Sequence, residues 1–333
     1  MPYYKKTERL GAERVKIRTV ITATAGAAAG CVLAGVGFYH LALGRGGYAR
    51  PLQKSRRFQK RQAGKKSCLC SPEDTAWLEE QARRWQLVSG EGLHLSAYYL
   101  PQPGSRRTVI ICHGYGDSAR RMSSVARRFY RQGFSLLLPD ARGHGHSQGK
   151  EIGMGWPERL DLLGWIRKLL LHDPETEILL YGVSMGAATV MAAAGEPLPP
   201  QVKCVIEDSG YSSVERELAS QIHRKLHLPA FPLLTVASGV CYRRQGFFFR
   251  EADLCRQLEK CRLPVLMIHG TADRFVPFSM LSSLYAAAAG EKEQLVAEGA
   301  GHIGAMKRDG QRYWKTVDTF WQRYMAKEIS DEP

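Results

Sequence analysis

At 333 residues the chain is long enough for one large domain with an N-terminal appendage, and its 44% apolar residues supply a sizeable core, which excludes a disordered or fibrous protein. The formal net charge of +15 points to nucleic acid only until it is located. Residues 1–66 hold fifteen Lys or Arg against Glu8 and Glu13, which leaves +2 for residues 67–333, so the folded surface lacks the basic balance that tracks a phosphate backbone and no nucleic-acid partner is expected.

In chain order, residues 1–18 read as a basic tail. Thr19–Leu43 (TVITATAGAAAGCVLAGVGFYHLAL) is an uncharged, Ala- and Gly-rich run long enough to cross a bilayer, which takes about 20 residues. A cleaved signal peptide has a shorter apolar region followed by a small-residue cleavage site, and no good one follows here. A lipoprotein site at Cys31, behind Ala28-Ala29-Gly30, is opposed by the apolar stretch continuing past it. The run is therefore expected to be a single-pass membrane anchor, with residues 44–72 as a basic linker; basic flanks on both sides argue against a buried helix of the domain. The six basic residues of the short leader favour an extracytoplasmic domain. Free thiols, expected at Cys112 and Cys204 in their apolar runs, favour the opposite side. Cys68 and Cys70 are too few for a zinc site.

From residue 73 short apolar runs alternate with amphipathic ones. Leu93–Tyr99 reads as an early antiparallel strand. Thr108–Cys112, Phe134–Leu138, Glu177–Tyr181, Val202–Ile206, Pro264–Ile268 and Glu293–Ala297 read as buried strands. Ser118–Gln132, Trp156–Leu171, Met185–Ala194, Pro277–Ala289 and Gln311–Tyr324 read as helices. This order implies a mostly parallel sheet covered on both faces. Residues 211–260 break the rhythm with helical patterns, prolines and Phe247–Phe249, and are expected to form a cap over the catalytic edge, against the plainer reading of a long crossover.

The chemistry-bearing residues fall at the ends of the strands. Gly182-Val183-Ser184-Met185-Gly186 stands between the strand EILLY and an Ala-rich helix, the context of a nucleophile elbow, which makes Ser184 the candidate nucleophile. A serine hydroxyl needs a base, and the base needs an orienting carboxylate. Asp273 follows the strand PVLMI and His302 follows EQLVA, in the order serine, acid, histidine. Asp208, beside Glu207 after VKCVI, competes for the acid position. The oxyanion needs two backbone N–H donors. Met185 is one; the other comes from His113-Gly114-Tyr115-Gly116-Asp117, with Tyr115 assigned and Gly114 as the alternative. His113 is read as shaping that loop. Asp140-Ala141-Arg142-Gly143-His144-Gly145-His146-Ser147 is read as a glycine-rich turn with a structural Asp–Arg contact and not as a metal site.

The set HGYGD, PDARGHGHS, GVSMG, HGTADRFVP and GAGH resembles bacterial α/β-hydrolases of the serine aminopeptidase and monoacylglycerol-lipase group, and in particular membrane-anchored members with a short helical cap. The resemblance spans about residues 73–327. It implies the α/β-hydrolase fold, the triad Ser184, Asp273 and His302, and no metal or organic cofactor. The expected activity is carboxylic-ester hydrolysis through an acyl-enzyme, on a small-molecule acyl or aromatic substrate that suits the apolar cap residues Leu228, Phe231, Leu233, Leu234 and Phe247–Phe249. A peptidase or acyltransferase with the same triad, or a non-catalytic binding module on this fold, stands as the alternative. Glu215, Glu217 and Glu251 keep recognition of a substrate amino group open.

Overall fold

The computed structural model describes residues 29–45 and 68–325. Eight strands form one sheet in the order β1-β2-β4-β3-β5-β6-β7-β8. β1 (Arg83–Val88) and β2 (His94–Leu100) make an antiparallel hairpin, and β2 runs antiparallel to β4 (Ser135–Pro139). β3 (Arg107–Cys112), β4, β5 (Glu177–Val183), β6 (Val202–Asp208), β7 (Val265–Gly270) and β8 (Lys292–Ala297) are parallel. The apolar runs of β3 to β7 follow from cover on both faces, which needs no polar alternation. By contrast β8, expected as a buried strand over Glu293–Ala297, is a partly exposed edge strand with a neighbour on one side only. β1 escaped the sequence reading: RRWQLV is a half-exposed edge strand without an apolar run.

The chain passes from β3 to β4 on one side, then crosses to β5 on the other side of β3. Neighbouring loops at the C-terminal ends of β3 and β5 therefore part in opposite directions, which opens a crevice there.

Helices cover both faces. On one lie α2 (Pro72–Gln81), α3 (Ser123–Tyr130) and α11 (Gly310–Tyr324), with Leu78, Phe129 and Phe320 in the core. On the other lie α4 (Glu158–His172), α5 (Met185–Ala194), α8 (Leu254–Lys260) and α9 (Ser279–Ala287), with Trp165, Leu258 and Leu284 buried. A short α10 (Ala305–Arg308) precedes α11. All ten residues of α5 are buried, and its small side chains let it lie close to the sheet beneath α4 and α8. The linker expected over 44–72 ends earlier than its composition suggested. Leu69 is buried, its carbonyl accepts from the Ser124 N–H, and Ser71 caps α2 by accepting from the Asp74 N–H at 3.0 Å.

Residues 211–260 divide. α6 (Val214–Leu226) and α7 (Leu233–Gln245) form the cap, whereas α8 packs against α5 and α9 as an ordinary sheet-covering helix. The cap is thus narrower than the sequence boundaries, because α8 buries Leu254 and Leu258 in the domain core.

The expected membrane anchor meets a different structure in its described part. Residues 29–43 are helical and are called α1 here; residues 19–28 lie outside the described residues. Gly35, Phe38, Tyr39, Ala42 and Leu43 are buried at helical spacing, and four of them join the core beside Trp165 and Leu234. No helix of the described residues is long and apolar enough to cross a membrane. With residues 35–43 committed to the domain, Thr19–Ala34 remains, 16 residues against the about 20 that a span takes.

Candidate active site

The crevice at the C-terminal ends of β3 and β5–β8 collects the three candidate catalytic side chains. Ser184 follows β5 directly, with φ 54° and ψ −115°. A non-glycine residue there carries strain of order 1–3 kcal/mol, and the surrounding packing holds it. The flanking glycines are what the turn demands: a Cβ at Gly182 would strike the Gly186 carbonyl, and one at Gly186 the Cys112 carbonyl. The Ser184 N–H donates to the Asp208 carbonyl at 2.8 Å, tying the elbow to β6.

His302, after β8, places Nε2 2.9 Å from Ser184 Oγ and Nδ1 2.8 Å from Asp273 Oδ2. The buried carboxylate accepts only, so Nδ1 carries the proton and Nε2 accepts from the hydroxyl. Asp273 Oδ1 accepts from the N–H groups of Phe275 at 2.7 Å and Val276 at 3.0 Å. Burial alone would raise this carboxyl; hydrogen bonds from His269 and His302 and the His302 charge outweigh it and hold the group well below the usual carboxylate range. His269, one turn of chain before the acid, lies 3.4 Å from Oδ2 and was not singled out in the sequence. Asp208 is placed elsewhere: its oxygens accept from Ser209 Oγ at 2.8 Å and the Tyr313 hydroxyl at 2.9 Å.

The loop after β3 stands beside the serine, and a Cβ at Gly114 would lie 3.5 Å from Ser184 Cβ. Two histidines set its shape. His113 Nδ1 donates to the Gly114 carbonyl at 2.8 Å and its Nε2 accepts from the Ala141 N–H at 3.0 Å. His144 Nδ1 donates to the Arg142 carbonyl and its Nε2 accepts from the Gly116 N–H at 3.0 Å. Burial pushes the His144 imidazole down to about 3, so it stays neutral and can accept. The Gly116 N–H and the Asp117 N–H, which donates to the Gly114 carbonyl at 3.2 Å, are thus both used inside the loop.

The Asp–Arg contact expected within residues 140–147 is drawn differently. Arg142 makes a two-pronged pair with Asp161 of α4, both distances 2.8 Å, and reaches Glu91, while Asp140 accepts from the Ala119 and His146 N–H groups. The Asp140 side chain thereby pins two loops, and Arg142 is turned away by a stronger partner.

In front of Ser184 a narrow pocket is lined by Ala42, Tyr115, Met154, Met185, Tyr211, Leu218 and Phe275, together with Glu217 and Gln221 of α6. Glu217 is 1% exposed; one of its oxygens accepts from Gln221 Nε2 at 2.6 Å and the other has no partner among the described residues. Burial raises its carboxyl to about 7, with the Gln221 hydrogen bond opposing and the Asp273 charge adding. A carboxyl raised on folding holds its proton more tightly in the folded state. Its contribution is complete below the unfolded value, near 4.5, and is lost as pH rises through about 7. Wild type is therefore expected to lose more stability than Glu217→Gln between pH 5 and 8, by up to about 3 kcal/mol, read from urea unfolding. Parallel curves for the two proteins across that window would contradict this.

Residues 103–241 match the family model described as "Serine aminopeptidase, S33". The match includes Ser184 and ends within α7, before Asp273 and His302. Among curated relatives, uncharacterised protein YqkD of Bacillus subtilis is 29% identical over 235 residues, 70% of this chain and 77% of the relative. A protein of Mycobacterium tuberculosis is 28% identical over 225 residues, 66% and 72% of the two chains. An esterase of Pyrococcus furiosus has a similar structure, with a TM-score of 0.63 at 22% identity over 77% of this chain and 95% of its own. The acylaminoacyl peptidase of Pyrococcus horikoshii gives a TM-score of 0.56 at 16% identity, over 76% of this chain and 42% of its own. The sheet order and the likeness to solved structures agree that the chain has the α/β-hydrolase fold.

Proposed function

We propose that this α/β-hydrolase chain is a serine hydrolase that cleaves carboxylic esters through an acyl-enzyme. The observation that carries the proposal is the hydrogen-bonded line Asp273–His302–Ser184, built on a strained turn beneath an apolar pocket. Ser184 Oγ attacks the carbonyl carbon while His302 Nε2 takes its proton. Asp273 holds the imidazole with Nδ1 protonated and stabilises the imidazolium. The backbone N–H groups of Met185 and Tyr115 are assigned to the oxyanion. His302 returns the proton to the departing alcohol, then draws one from water, whose oxygen attacks the acyl carbon and frees the acid. At 5% exposure Ser184 is reached through the pocket, whereas His302 is partly exposed and open to water.

A peptidase uses the same acyl-enzyme, and the family description names one. The lining favours the ester. Apart from Glu217 it is apolar or neutral, and burial keeps a proton on Glu217 up to about pH 7, so no fixed negative charge awaits an amino group.

The test is labelling of the whole chain with a fluorophosphonate probe. Wild type is expected to label with one probe per chain, and Ser184→Ala not at all. A matched panel of p-nitrophenyl esters and aminoacyl p-nitroanilides is expected to show the esters preferred. A folded wild type that does not label removes the hydrolase reading, and preferred anilide cleavage replaces the ester by the peptide bond.

A further inference from the structure

We propose that helix α1 belongs to the active site: through Ala42 it walls the pocket in front of Ser184, and through the Ala42 carbonyl it positions the Tyr115 loop. The inference rests on the ester-hydrolase reading above and names an element that limits the size of the acyl group.

Four sets of contacts hold this helix against the rest of the domain. Gly35 lies so close to α7 that a Cβ there would overlap the Val236 side chain, so the helix and the cap touch backbone to side chain. Tyr39, fully buried, accepts at its hydroxyl from Gln245 Nε2 at 3.0 Å, at the far end of α7. The helix end is then fastened to the loop between β4 and α4. The Leu43 carbonyl accepts from the Ile152 N–H at 2.7 Å, the Arg45 N–H donates to the Lys150 carbonyl at 2.7 Å, and Gly44 forms an antiparallel bridge with Glu151. The fourth contact reaches the chemistry. The Tyr115 hydroxyl donates to the Ala42 carbonyl at 2.6 Å, while the Ala42 side chain, 1% exposed, faces the same pocket as Ser184, Met185 and Phe275.

Two consequences follow from the chemistry. The last turn of a helix leaves its carbonyls without intrahelical partners, and Tyr115 supplies one from the side chain of the residue whose N–H is assigned to the oxyanion. That hydrogen bond fixes the loop from the pocket side, as His144 fixes it from behind through Gly116. The position of Ala42 also makes its methyl group part of the pocket wall. Each methylene that a pocket admits or refuses changes discrimination by about 10- to 200-fold, so residue size at position 42 sets which acyl chains enter. Tyr115 is a positioning residue in this scheme, and Ala42 a determinant of specificity.

The test uses the full chain and the ratio of kcat/KM for p-nitrophenyl octanoate to that for p-nitrophenyl acetate. In Ala42→Phe the ratio is expected to fall about tenfold or more below wild type. Ala42→Val, which adds less bulk and is the safer fold, is expected to move it the same way by about threefold. Tyr115→Phe keeps the ring and removes the hydroxyl; kcat on both esters is expected to fall by about tenfold at unchanged KM and unchanged melting temperature. A folded Ala42→Val or Ala42→Phe with the wild-type ratio overturns the proposal, as does a Tyr115→Phe that lowers only the melting temperature. Wild type that fails to label with fluorophosphonate overturns the hydrolase reading and this one with it. Wild type that labels while the ratios stay fixed overturns this one alone.

Discussion

His302→Ala is expected to lower kcat for p-nitrophenyl butyrate by on the order of 10⁶, with the circular dichroism spectrum unchanged. Among the described residues the imidazole is the one group in contact with both Ser184 Oγ and Asp273 Oδ2, at 2.9 and 2.8 Å, so its loss is expected to remove the base and strand the acid in one step. Members of a triad act as a unit, which is why removing the serine or the histidine alone costs nearly as much as removing all three. Its side chain is partly exposed, and its ring lies 4.9 Å from that of Phe275 and not deep in the core, so truncation leaves the fold intact. The residual rate over water comes from the oxyanion donors and the pocket. A loss of less than about a hundredfold would mean that another group takes the serine proton, and none of the other described histidines is placed against Ser184 Oγ.

Asp273→Asn is expected to lower kcat by about 10⁴. The amide retains an oxygen for the Phe275 and Val276 N–H groups, so the loop keeps its form. The nitrogen then faces His302 Nδ1 as a donor, and the ring must turn its own lone pair toward it. That places the proton on Nε2, where it faces Ser184 and cannot accept. The competing acid is tested in parallel by Asp208→Asn. Asp208 is occupied by Ser209 and Tyr313, and its substitution is expected to disturb stability and leave kcat within about tenfold. A larger loss of kcat in Asp208→Asn than in Asp273→Asn would reverse the assignment of the acid.

The elements that proved legible are those whose packing leaves a local trace. A parallel strand buried on both faces is an unbroken apolar run, as in TVIIC, EILLY and PVLMI. Ser184 and Asp273 follow such runs, His302 follows the partly exposed edge strand β8, and all three inherit their place at one end of the sheet from the strand order. The helix 72–81 carried its signals too, Ser71 followed by Pro72, Glu73 and Asp74, but they straddle the expected start of the domain at residue 73. β1 left no trace, because an edge strand need bury little. His269 was hidden for another reason: its motif was read for the acid four residues later, and only the fold shows that both histidines flank the same carboxylate.

Composition and pattern by themselves determined the order of the parallel strands along the chain, the glycine-flanked turn at Ser184 and the succession of the candidate residues Ser184, Asp273 and His302, since each depends on residues adjacent in sequence. Tertiary structure alone decided what covers the serine. Thr19–Leu43 is equally apolar whether it meets lipid or protein, because burial of apolar surface has no direction of its own. The described part of that run turns Gly35, Phe38, Tyr39, Ala42 and Leu43 inward. What settles their partner is a set of contacts with residues 73 to 206 positions away, Tyr115, Ile152 and Gln245, whose hydrogen bonds with Ala42, Leu43 and Tyr39 exist only once the sheet has brought those loops together.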